Sequence, residues 1–172
     1  MPNITNYKEF RRSVVEPDFQ DFMANRDDVR KAWHCAGSLF HLADWVYGAH
    51  KAAIDTKFTF IDDRGITRPV SRIEEFATSL GKAHADFQLM RGIANSAKHF
   101  VLRPTPPGRV SPPGMPTHAA NTYVSDGGFQ AGAFSSAFQV AEVRLQGHGV
   151  EFAGLAQSVS DMWDRLFASE GW

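Results

Sequence analysis

The stretch 71–102 constrains the fold more than any other part of the chain, because its apolar residues recur in alternating steps of three and four. They are Ile73, Phe76, Leu80, Ala83, Phe87, Met90, Ala94, Ala97 and Val101. Residues three and four apart share a helix face, so this spacing predicts one long amphipathic helix with a buried side. Ser71, followed three residues later by Glu74, forms a capping-box pattern at its start. A second stripe on the same stretch is polar: His84, Gln88, Arg91, Asn95 and His99, with Lys98 beside it. One side is built for burial, and the other lines up imidazole, amide, guanidinium and ammonium groups.

The remaining helical signals imply neighbours for that buried side. Residues 5–15 have helical character, Glu16-Pro17 marks a break, and Pro17 with Asp18 suits the first turn of a new helix. Asn25, Asp27 and Asp28 mark the start of a further helix by their capping chemistry. From Val29 to about Ala52 the apolar stripe Val29, Trp33, Ala36, Phe40, Ala43, Tyr47 is widened by Ala32, Leu39 and Val46. Gly37 and Gly48 within it favour close helix packing. Phe152, Leu155, Val159, Met162 and Leu166, with Trp163 and Phe167 beside them, predict a last helix.

Between these helices the pattern changes. Phe58 and Phe60 alternate with polar residues before the turn signal Asp62-Asp63-Arg64-Gly65, which predicts a short hairpin or extended loop. Six of the nine prolines fall between Pro104 and Pro116, a loop. Residues 121–125 and 137–145 alternate as strands do, and Gly147-His148-Gly149 reads as a turn. Phe129, Phe134 and Phe138 anchor a glycine-rich stretch. The sum is a mainly α chain: a bundle of four to five helices, with a small antiparallel β element over about 121–145 and a Pro-rich loop. It forms a single domain over 1–172, with the loop and β segment inserted at about 103–150.

Composition removes several function classes. The 172 residues suffice for one domain with a real core and are few for two. A formal net charge of −1 argues against a protein that coats nucleic acid, while leaving room for a local basic patch. A single cysteine, Cys35, excludes an intramolecular disulfide and a thiolate metal cluster within one chain. The first fifteen residues hold no apolar signal region, and no run approaches the roughly 18 apolar residues needed to cross a bilayer. The expectation is a cytoplasmic protein without a membrane partner.

Two constellations could carry chemistry. In the first, Arg91, Asn95, Lys98 and His99 combine a group of pKa near 6.5 with fixed positive charge, as cleaving RNA without a metal requires. Arg91 and His99 are eight residues apart, about 12 Å along a helix and about 80° around it. That separation is large for one phosphate, so a dimer presenting two copies would close the gap. On the structural side, Lys98 and His99 also suit the negative end of a helix dipole. In the second, His34, His41 and Asp44 lie on the helix from Val29. His41 and Asp44 are three apart and within touching distance, and with His84 and His99 they are the candidates for a metal site. No His-x-x-x-His pair supports one, and no cofactor is expected. Cys35 beside His34 points about 100° away from it on a helix and reads as a buried structural thiol.

The stretch Met90-Arg91-Gly92-Ile93-Ala94-Asn95-Ser96-Ala97-Lys98-His99-Phe100 resembles the HEPN superfamily of helical domains. Members are helical bundles, often dimeric, and the active ones are metal-independent ribonucleases of toxin–antitoxin and phage-defence systems. Their motif is an arginine, usually a polar residue after it, and a histidine after four to six intervening residues. Here seven residues separate Arg91 from His99, and Gly92 follows Arg91. The resemblance, over about 27–102 and the last helix, implies a homodimer. It also implies His99 as general base or acid, Arg91 and Lys98 as phosphate contacts, and Asn95 as an orienting group. His84 and Gln88 join Lys98 as candidate binding residues. The leading expectation is a non-catalytic interaction module of this type, with a protein or RNA partner. A metal-independent ribonuclease and a metal-binding bundle are the alternatives.

Overall fold

The computed structural model describes residues 4–62, 64–98, 134–135, 140–145 and 148–172. It is mainly helical with small antiparallel sheets, as the periodicity requires. The Pro-rich segment, residues 121–125 and His99 lie outside the described residues.

The first helical run has no break. Helix α1 (Tyr7–Phe10) passes through a π-helical turn (Arg11–Val15) directly into α2 (Glu16–Ala24), with helical backbone at every junction. The predicted interruption at Glu16-Pro17 is therefore replaced by a widened turn, in which the Glu16 N–H donates to the Arg11 carbonyl five residues back. Proline in a regular helix presses its ring on the carbonyl four residues earlier, here that of Ser13. Opening the turn upstream of Pro17 relieves that contact without ending the helix.

Helix α3 (Val29–Lys57) is the centre of the bundle, and α1, α2, α4, α5 and α6 all pack against it. Asp28 caps it, its carboxylate accepting the Lys31 N–H at 3.1 Å. Its buried apolar residues, Ala32, Cys35, Ala36, Leu39, Leu42, Ala43, Val46, Tyr47 and Ile54, form the core stripe. Trp33 and Phe40 fall on its flanks, half-buried. Gly37 and Gly48 do not serve close packing: a Cβ at either would meet nothing within 4 Å. The helix bends at His50, where the backbone leaves helical geometry (φ −120°, ψ 21°).

Strands β1 (Thr59–Ile61) and β2 (Thr67–Pro69) form the predicted hairpin, pairing Thr59 with Pro69, Phe60 with Arg68 and Ile61 with Thr67. Asp62 closes the turn by accepting the N–H groups of Arg64 and Ile66, both at 2.9 Å. Gly65 holds φ +77°, which glycine adopts without strain. Strands β3 (Phe134–Ser135), β4 (Val140–Leu145) and β5 (His148–Glu151) make an antiparallel sheet in that order. His148 and Gly149 belong to β5, paired with Leu145 and Arg144, rather than to a turn.

The long helix expected over 71–102 is two helices, α4 (Ile73–Ala83) and α5 (Ala85–Lys98). His84 alone links them, in extended conformation (φ −137°, ψ 102°). Its N–H completes α4 on the Leu80 carbonyl at 2.8 Å, and its own carbonyl accepts the Phe87 N–H of α5 at 3.0 Å. The period of three and four survives because each helix turns its apolar face to the same core. Phe76 and Leu80 are buried on one side of the bend, Phe87 and Met90 on the other, while Ala83 beside the bend is exposed.

The cap of α4 also differs from the expected pair. Glu75, not Glu74, reaches back to Ser71, accepting its N–H and its hydroxyl, both at 2.9 Å. Helix α6 (Phe152–Glu170) follows β5 directly and buries Phe152, Leu155, Val159, Met162, Trp163 and Phe167. It ends in a Schellman motif: Gly171 takes φ +70°, and the Trp172 N–H donates to the Phe167 carbonyl at 3.1 Å.

Candidate functional site

The bend at His84 changes what the polar stripe can do. In one continuous helix Thr78 and Arg91 would stand about 20 Å apart. Here the Arg91 guanidinium donates to the Thr78 hydroxyl at 3.1 Å, and that hydroxyl donates to the Glu74 carbonyl at 2.7 Å. Nearer the bend, Gln88 lies over Gly81 so closely that a Cβ there would come within 2.4 Å of its Oε1. The residue numbers of each pair, 81 with 88 and 78 with 91, show α4 and α5 folded back on each other as a hairpin. Gln88 and Arg91 face the seam between them.

Arg91 is half-buried in that seam. Burial pushes its pKa below the usual arginine value, and the nearby Glu74 opposes the shift. Asn95, one turn further along α5, is half-buried. Lys98 is the last residue of α5. Of the catalytic set expected from the sequence, the described residues thus place Arg91 and Asn95 on one helix, with Arg91 committed to α4.

His84 leaves the stripe altogether. It lines a cleft of about 220 Å³ at the bend, together with Asp86, Ser158 and Met162. Within it the Ser158 hydroxyl of α6 donates to the Asp86 carboxylate at 2.5 Å. Sequence reasoning missed this pair, because Ser158 and Asp86 are 72 positions apart and neither stands in a motif. Chemically it is a serine held by a carboxylate. An activated nucleophile needs the hydroxyl on a general base that a third group orients, and the donation to Asp86 does not make that chain.

On α3, His41 and Asp44 meet as their spacing predicts, Nδ1 to carboxylate at 2.7 Å. His34 is exposed two turns away. Among the described residues, no group of three or more His, Cys, Asp or Glu side chains comes together in a way that could hold a metal ion. Cys35 is fully buried, and burial raises its thiol to about 12, so the nucleophilic thiolate is suppressed.

One polar residue that the sequence did not single out has unusual surroundings. His50 sits at the bend of α3, stacked on Trp172 (centroids 4.3 Å apart, planes 5° apart) and edge-on to Tyr7 at 5.0 Å. Its Nε2 is buried without a hydrogen-bond partner among the described residues. Burial pushes its pKa below the ordinary histidine value, and the Lys8 ammonium adds to the shift. A lone histidine between Ala49 and Lys51 carried no signal of this in the sequence.

Among the described residues no helix is long and apolar enough to cross a membrane. Comparison with protein-family models, with curated proteins and with solved structures finds no match.

Proposed function

We propose that the chain is a non-catalytic helical module of HEPN-like type, which acts by binding a protein surface, in the first instance a second copy of itself. The contact of Arg91 with Thr78 carries this reading. A ribonuclease needs its arginine free to meet a phosphate, and this guanidinium is half-buried and spent on the α4–α5 seam. Resemblance around Arg91–His99 and the mainly helical fold support the HEPN-like part. A net charge of −1 offers RNA no general attraction.

The test is direct. Single-stranded RNA is incubated with wild-type protein and with His99→Ala in EDTA. Neither is expected to cleave it. Cleavage by wild type that His99→Ala abolishes would replace this reading with the metal-independent ribonuclease.

The large apolar side chains that stand exposed among the described residues are Ile61 and Ile66, at 43% and 48%, flanking the turn of the β1–β2 hairpin. Burying such a pair favours association. Light scattering after size exclusion is expected to give a dimer for wild type and a monomer for Ile61→Asp/Ile66→Asp. A wild-type monomer at every concentration tested would remove self-association.

A further inference from the structure

Three chain segments converge on His50: the start of α1 through Tyr7, the bend of α3 itself, and the end of α6 through Trp172. Trp172 is delivered there by the Schellman motif at Gly171. It also lies near Phe58, ring centroids 6.4 Å apart. The backbone at His50 has left helical geometry, so the ring stands at the bend of α3 itself.

The ring at this junction is suited to one protonation state. A neutral imidazole leaves the buried Nε2 as an unpartnered site of modest cost, whereas an imidazolium carries a donor on both nitrogens. A charged donor buried without an acceptor costs more than stacking a cation on an indole returns at a partly exposed site. The charged groups around the junction do not favour the cation. From α1 comes Lys8, its ammonium 5.6 Å from the Tyr7 centroid, and Arg11 stacks over Phe167 at 5.0 Å. On α3 itself Lys51 is paired with Asp55, whose carboxylate also takes the Tyr47 hydroxyl. At the end of α6 the Glu170 carboxylate is held by Lys57 at 2.6 Å. The carboxylates of Asp55 and Glu170 are thus each bound to a lysine.

We propose that His50 is a proton-operated latch: while neutral it holds the end of α6, through Trp172, against the bend of α3, and on protonation it releases that end. Release uncovers the His50 and Phe58 rings, which Trp172 lies against. Tyr7, on another side of the His50 ring and packed also on Phe167, begins α1, which forms one wall of a groove of about 380 Å³ whose other wall is Asp44, Trp45, Gly48 and Ala49 of α3.

The sign follows from the lowered pKa. Stability from the neutral latch is complete above the unfolded histidine value of about 6.5 and is lost as pH falls through the lower folded value. The test labels the four tryptophans with fluorine and follows their resonances from about pH 8 to about pH 5, alongside the His50 ring signals. Trp172→Phe identifies the Trp172 resonance. That resonance is expected to move to its solvent-exposed position with the same midpoint as the His50 ring, below about 6.5, while far-UV circular dichroism stays helical. In His50→Phe and in His50→Gln it is expected to be independent of pH. A Trp172 resonance that does not move in wild type, or that moves at a midpoint different from the His50 ring, overturns the latch. So does an unchanged titration in either variant.

Discussion

Replacing Trp163 by alanine is expected to destabilise the protein by about 3–5 kcal/mol, the range for deleting a buried large aromatic. The side chain is 1% exposed and touches three helices at once. It stands edge-on to Phe87 of α5 (5.8 Å, 84°) and near-parallel to Phe167 one turn along α6 (5.7 Å, 22°). Its indole N–H donates to the Leu39 carbonyl of α3 at 3.0 Å. No partial collapse of one helix fills that space, because the gap would lie between α3, α5 and α6. Against a typical stability of about 5–15 kcal/mol, the loss unfolds a large fraction of molecules near 37 °C. Trp163→Phe keeps most of the volume and is expected to cost about 1–2 kcal/mol, including the lost hydrogen bond. Urea denaturation checks both as shifts in midpoint at constant slope. A loss under about 1 kcal/mol for the alanine variant would contradict a single core shared by the three helices.

Glu75→Ala is expected to cost about 1–2 kcal/mol, because it leaves the Ser71 N–H and hydroxyl without their acceptor at the start of α4. The carboxyl pKa is held down at about 2, first by the hydrogen bond from Arg72, with Ser71 adding to it and burial opposing. Arg72 is largely exposed, so salt screens its share. A carboxylate near 4.3 in the unfolded chain and about 2 in the folded one stabilises the fold above the higher value. That stability is lost as pH falls from one to the other. Thermal melts should therefore show wild type more stable than Glu75→Gln at neutral pH, with the gap closing between about pH 4.3 and about pH 2. A gap independent of pH would mean that Glu75 acts through packing rather than charge.

The bundle was legible because burial is written in the spacing of apolar residues. Asp28 as the cap of α3, the hairpin around Asp62-Asp63-Arg64-Gly65 and the start of α6 at Phe152 all follow from local chemistry. The bend at His84 was not legible, since both helices keep their apolar faces toward one core and the period runs through unchanged. Gly81 and Asp86 were the available signals, one allowing Gln88 to approach and the other suiting a new helix start. Misplacing that bend misplaced the polar stripe. Residues that would share an outward face on a straight helix instead face a neighbouring helix, which is how Arg91 comes to meet Thr78. The contact of His41 with Asp44 needed only helix spacing, whereas His50 depends on three distant segments meeting, which no local pattern encodes.

The π-helical turn at Arg11–Val15 sets the phase of everything before it. Each residue of an α-helix advances the chain by about 100° around the axis. Removing one residue from this turn would restore a uniform pitch and swing Tyr7 by roughly that angle relative to Phe22, away from the core they now share. Pro17 would then sit in a regular helix, against the carbonyl that the wide turn now moves aside. Length at this point is therefore an angular coordinate: the surplus residue tunes which side of α1 meets the bend of α3, without altering a single side chain at the junction.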